Sequence, residues 1–186
     1  MGEKQPQDFW QRLLEQFDIA TYRNTYSIFS QAYALFGQAA EILKVKAYAS
    51  VGLLCRATVE AACYLYLTRR KEGALLTIDP PMTLDGRVRR VLQQELQNAI
   101  RKAKVLSYQQ LSNLERIVEH GDLIAHLAEK TDRAVMRNFE LDRNSDPNRV
   151  QIWLDEKGAV EDLEDTMDIL LTLVRAASPI AESAVM

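Results

Sequence analysis

The sequence predicts an all-α protein, an up-and-down helical bundle, and three observations lead there. Glycine and proline are scarce, 7 and 5 in 186 residues, and they fall between segments of helical periodicity, as punctuation does in a helical chain. Apolar residues recur at three- and four-residue spacing through most of the length. Alternation with a period of two, the mark of a half-buried strand, is confined to Val135–Leu141 and Val150–Leu154. There, around Asn144-Ser145-Asp146-Pro147-Asn148, a small β-hairpin or a structured loop is expected over 135–154.

The elements follow in order. Phe9, Leu13, Leu14 and Phe17 share a stripe after Pro6, a residue tolerated in a first helical turn, and define a short first helix. Tyr22 to Leu43 carries Tyr26, Phe29, Tyr33, Phe36 and Ala40 on one face, an aromatic stripe suited to a core. Ala47 to Arg70 is the most apolar stretch, with Val51, Leu54, Thr58, Ala62 and Leu65 in register, and is expected to be the central helix. Gly73, Pro80 and Pro81 make Lys71 to Thr83 a loop, with Thr83 capping a helix through Leu84, Val88, Val91, Leu92, Leu96, Ile100 and Val105. Ser107 caps a further helix through Leu111, Leu114 and Val118, which Gly121 is expected to end. Asp122 then has the chemistry to cap a new helix from Leu123 to about Ala134. Gly158 restarts the chain, and Leu163, Met167, Leu170, Leu171 and Val174 mark a last helix ending before Pro179.

A chain of this length forms one domain, read here as 1–186. Hydrophobic residues at 47% and charged residues at 26% are the mixture of a globular protein. A net charge of −3 and a pI near 5.5 provide no global field toward nucleic acid or an anionic membrane. Residues 1–8 lack the apolar stretch of a signal peptide, and no apolar run is expected to approach the roughly 18 residues of a membrane span. The expectation is a cytoplasmic protein without a membrane partner. Cys55 and Cys63 sit about 12 Å apart if they share a helix of ~1.5 Å rise per residue, too far for a disulfide, so both are expected as reduced, packed thiols.

Charge is uneven. Arg69 to Lys104 holds nine basic and four acidic residues, whereas Asp155 to Met186 holds two basic and eight acidic. Charge runs usually solvate a face, and Glu161, Asp162, Glu164 and Asp165 suit a helix N-terminus. The sharper reading makes Arg87, Arg90, Arg101, Lys102 and Lys104 a patch for phosphate backbones.

No glycine-rich phosphate loop, zinc-type cysteine pair, nucleophile elbow or paired histidines on one turn occurs, which removes whole enzyme classes and gives no reason to expect a cofactor. What remains is polar material in apolar surroundings. Arg56 and Glu60 are i, i+4 neighbours in the central helix and are expected to pair. Both histidines fall in His120-Gly121-Asp122-Leu123-Ile124-Ala125-His126. His126 follows Asp122 by four residues, so the two can share a site or serve only as cap and packing residue. A metal held by His120, Asp122 and His126 would need ligands on both sides of a glycine break, and no metal is expected.

Arg56-Ala57-Thr58-Val59-Glu60, then Leu114-Glu115-Arg116-Ile117, then Gly121-Asp122-Leu123-Ile124-Ala125-His126, resembles the HEPN-like (higher eukaryote and prokaryote nucleotide-binding) domain. The likeness is closest to a prokaryotic branch of unknown function with Arg-Ala-x-x-Glu and Gly-Asn-x-x-Ala-His motifs, and spans about 47–134. It implies a helical bundle that often dimerises across a cleft, in nucleic-acid or phage-defence systems. Active members cleave RNA without metal, using an Arg immediately before a polar residue and a His four residues beyond that residue. Here the polar residue is Asp122 and the histidine His126, while Gly121 replaces the Arg. Metal-free cleavage needs a group to take the 2′-hydroxyl proton and a cation to steady the phosphorane. His126 suits the first task; the second falls to Arg56, Arg116 or a second subunit.

Three expectations follow: a non-catalytic homodimeric module that binds a nucleotide, RNA or a protein; a metal-independent ribonuclease; or a buried polar network with no ligand. The candidate catalytic residue is His126. The candidate ligand-binding residues are Arg56, Glu60, His120, Asp122 and Arg116.

Overall fold

In the computed structural model the described residues are 9–17, 19–69, 93–129 and 156–182. They form helices α1 (Phe9–Gln16), α2 (Ile19–Lys44), α3 (Tyr48–Arg69), α4 (Gln93–Ala103), α5 (Tyr108–Glu129) and α6 (Glu156–Glu182), with no strand among them. The protein is an all-α bundle. The expected hairpin over 135–154, the loop at 71–83, the Thr83 cap and the basic residues Arg87 and Arg90 lie outside the described residues.

Helix α3 is apolar on nearly every side, so it belongs in the middle, and α2, α4, α5 and α6 all pack on it. Val51, Cys55, Thr58, Ala62 and Tyr66 form its buried stripe. The expected α2 stripe is buried at Phe29, Tyr33, Phe36 and Ala40, while Tyr26 stays exposed and stacks on Tyr33. Leu163, Leu170, Leu173 and Val174 of α6, Ile117 of α5 and Ile100 of α4 complete one continuous core. By length and composition alone, Tyr48–Thr68 is apolar enough to cross a membrane, with a mean hydropathy of 1.2 and half of that window buried inside the protein. The expectation that no apolar run approaches that length is corrected here, since Arg56 and Glu60 are the only charged residues in the stretch. Both cysteines are free and buried.

The turns have identifiable causes. At the end of α2, Lys46 takes φ 60°, its N–H donating to Leu43 O at 3.0 Å and that of Ala47 to Ile42 O at 3.4 Å. This is a Schellman closure with lysine where glycine is usual. Lys104, at φ 52°, ends α4 in a left-handed residue too, so Val105 falls in the connection rather than in the helix. Ser107 caps α5 as expected. The N–H of Gln110 donates to Ser107 Oγ at 3.2 Å and the N–H of Ser107 to Gln110 Oε1 at 2.9 Å, a reciprocal capping box.

Three boundaries differ from expectation. α5 runs unbroken through Gly121, so Asp122 caps nothing. Gly158 lies inside α6, which begins at Glu156; the acids at 161–165 are therefore in its second and third turns, beyond reach of a first-turn dipole effect. α6 also continues past Pro179 to Glu182, since a proline near a helix end removes one hydrogen bond without always stopping the chain.

Candidate functional site: two polar seams along α5

Gly121 is explained by what lies over it. A Cβ at this position would fall 2.3 Å from Arg56 Cδ and 2.6 Å from Arg56 Cβ, so only glycine lets α3 approach. One turn away on α3, Gly52 plays the reciprocal part, a Cβ there meeting Ile124 Cδ1 at 2.9 Å. The crossing lays Arg56 across α5. Its Nη1 sits 2.6 Å from Asp122 Oδ1 and its Nε 3.0 Å from Glu60 Oε1. The i, i+4 pair read from the sequence supplies two members of a triad, completed by Asp122 from another helix.

The second seam joins α5 to α6. Arg116 places Nη1 2.5 Å from Glu161 Oε1 and Nη2 2.5 Å from Asp165 Oδ2, with Asp162 Oδ1 at 3.5 Å. His120, one turn along, has Nδ1 2.7 Å from Asp162 Oδ2; since a carboxylate only accepts, Nδ1 carries the hydrogen. Burial works against the charge of Arg116, and Glu161, Asp162 and Asp165 outweigh it, so the guanidinium stands above its usual pKa. Asp165 is also raised, chiefly by burial and only partly relieved by Arg116. Asp162 Oδ1, Arg116 Nε and Thr166 Oγ1 are buried without a hydrogen-bond partner. Cys55 is fully buried beside this seam, and burial pushes its thiol above the ordinary range.

The structure thus brings Arg56, Glu60 and Asp122 together on one side of α5 and places Arg116 and His120 against α6. His120 and Asp122 face different neighbours and do not converge on a common ligand. His126 is one helical turn beyond Asp122, on the same side of α5 by helical register; its side chain lies outside the described residues. Among the described residues no group of three or more His, Cys, Asp or Glu side chains is arranged to hold a metal ion.

Sequence reasoning missed Glu161, Asp162 and Asp165, reading them as terminal charges. The signal was present in the spacing: Arg116 and His120 at i, i+4 on one helix match acids at i, i+1 and i+4 on another. Glu156, Glu161, Asp162, Glu164, Asp165 and Asp168 of α6 are all engaged by side chains of their own chain. Besides the second seam, Glu164 meets Arg12 at 3.2 Å, Asp168 accepts from Gln110 Nε2 at 2.8 Å and Glu156 accepts from the Tyr48 hydroxyl at 3.4 Å. In the basic segment, Arg101 pairs with Glu115.

No family model, curated protein or solved structure matches this chain.

Proposed function

We propose that this chain is a non-catalytic, HEPN-like binding or scaffold module, cytoplasmic and homodimeric, whose two polar seams fix the register of α3, α5 and α6. The observation that carries this reading is the occupation of both candidate phosphate ligands by acids of the same chain. Arg56 is shared by Glu60 and Asp122, and Arg116 by Glu161, Asp162 and Asp165. A phosphate arriving at either guanidinium would have to displace a carboxylate and then sit in a surplus of negative charge, the reverse of an electrostatically prepared site. Homodimerisation rests on the family resemblance, and a solution mass at micromolar concentration showing only monomer would remove it.

A ribonuclease is the second reading, favoured by one feature. Because α5 is continuous, position 126 follows Asp122 by one helical turn, on the helix that Arg56 crosses, so that His126 as acid or base, Arg56 as phosphate ligand and Glu60 orienting that Arg make up the reading. Incubating a mixed-sequence RNA pool with the protein in the presence of chelator separates the two. The module leaves the RNA intact, and His126→Ala is indistinguishable from wild type. Chelator-resistant cleavage that His126→Ala abolishes would establish the nuclease instead.

A further inference from the structure

Between Leu96 and Leu114 the chain passes nineteen residues without an acid, in a protein with a net charge of −3. The same stretch holds Arg101, Lys102 and Lys104, all exposed, and Tyr108, whose side chain is the most exposed aromatic among the described residues at 90%. Arg101 is steadied by Glu115 and Asn98. Lys102 and Lys104 have no ion-pair partner among the described residues. Exposed amides of Asn98 and Gln109 flank them.

These groups occupy a rigid corner. The left-handed Lys104, whose N–H donates to Arg101 O at 3.2 Å, closes α4. Buried Leu106 pins the connection to the core, and the Ser107–Gln110 capping box starts α5. Tyr108 is therefore held out at the first position of a capped helix, with the lysines four and six residues before it across one tight turn. A fully solvated aromatic ring has no part in the core, and a surface so arranged loses little freedom on binding.

We propose that the α4–α5 corner docks single-stranded nucleic acid, Lys102 and Lys104 engaging phosphates and Tyr108 stacking on an unpaired base. A single strand offers a phosphate to each lysine and an unstacked base to the ring, whereas a duplex offers the ring no free base face. Stacking on an aromatic with flanking cations is how single strands are held without base-specific readout. This surface names the partner of the binding module proposed above and rests on that reading. It is separate from both seams.

Fluorescence anisotropy of the full chain with a labelled single-stranded RNA of about 12 nucleotides, within the span such sites cover, tests it, with the matching duplex and a polyglutamate as competitors. The single strand is expected to bind more tightly than the duplex. Tyr108→Ala weakens it by roughly tenfold, and Tyr108→Phe restores it. Lys102→Gln and Lys104→Gln each flatten the slope of log affinity against log salt by about 0.7. Duplex binding as tight as single-strand binding, or variants that bind as wild type does, would overturn the proposal. Polyglutamate displacing the RNA, with Tyr108→Ala without effect, would assign the corner to an acidic protein instead. RNA left intact and unbound defeats this inference alone, whereas RNA shortened in the presence of chelator defeats the non-catalytic reading.

Discussion

The two seams of α5 use the same chemistry, an arginine shared among carboxylates, yet they differ in balance and in how deeply their acids are buried. Toward α3, one guanidinium serves two carboxylates that keep contact with water, the Asp122 side chain being 38% exposed. Toward α6, one guanidinium and a histidine serve three carboxylates, and Asp162 is only 5% exposed. Depth decides what an ion pair is worth when it is broken. A water-exposed carboxylate that loses its partner is resolvated, whereas a buried one is left with an uncompensated charge. Although Arg116 itself is 32% exposed against 22% for Arg56, the α6 seam gathers three carboxylates, Asp162 the most deeply buried, and is therefore the one whose disruption is expected to cost more.

The largest effect expected from this contrast is on Arg116. Arg116→Ala should lower unfolding stability by about 3 kcal/mol, against about 1 kcal/mol for Arg56→Ala, in urea titrations at neutral pH. Equal losses would mean that depth does not distinguish the seams. Next comes the crossing itself. Gly121→Ala gains about 1 kcal/mol in helix propensity but drives a methyl group into Arg56 Cβ and Cδ, and a net loss of about 2 kcal/mol is expected in the same titration. Because the nearest atoms include the fixed Cβ of Arg56, adding Arg56→Ala should not rescue it; full rescue would show that only the flexible end of the side chain is in the way.

The smallest effect concerns the acid surplus. The Asp165 pKa is raised in the folded state, so its contribution to stability is present in full below the unfolded carboxylate pKa and is lost as pH rises through the folded value. At neutral pH the ionised, half-buried carboxylate opposes folding. Asp165→Asn should accordingly stabilise the protein by a fraction of a kcal/mol at pH 7, and the gain should vanish as the medium is made acidic. A variant less stable than wild type at pH 7 would show that the hydrogen bond from Arg116 needs the charge.

Local rules were enough for much of this architecture. α1, α2, α3, α4 and α6 are readable from apolar spacing and Ser107 from its place before a periodic run, whereas α5 reads as two helices divided at Gly121. What local reading could not supply was any event involving a second helix. Gly121 looks the same in a sequence whether it stops a helix or admits an arginine from across a crossing, and only Arg56, 65 positions earlier, tells them apart. His120 likewise found its acid in Asp162, 42 residues away. Glu60 was visible to Arg56 at i, i+4 where Asp122 was not. Lys46 and Lys104 escaped notice because the left-handed residue at a helix end was sought among the glycines.

The continuity of α5 has a mechanical side. A hinge at position 121 would have uncoupled the two halves of this element; instead Tyr108 and Asp122 are stations on one rod of 22 residues, about 33 Å long. The rod is keyed at its middle, since Arg56 seated over Gly121 resists both rotation and sliding. Whatever rests on the exposed end at Tyr108 is thereby given a fixed bearing relative to the whole bundle, as a pointer is by its mounting.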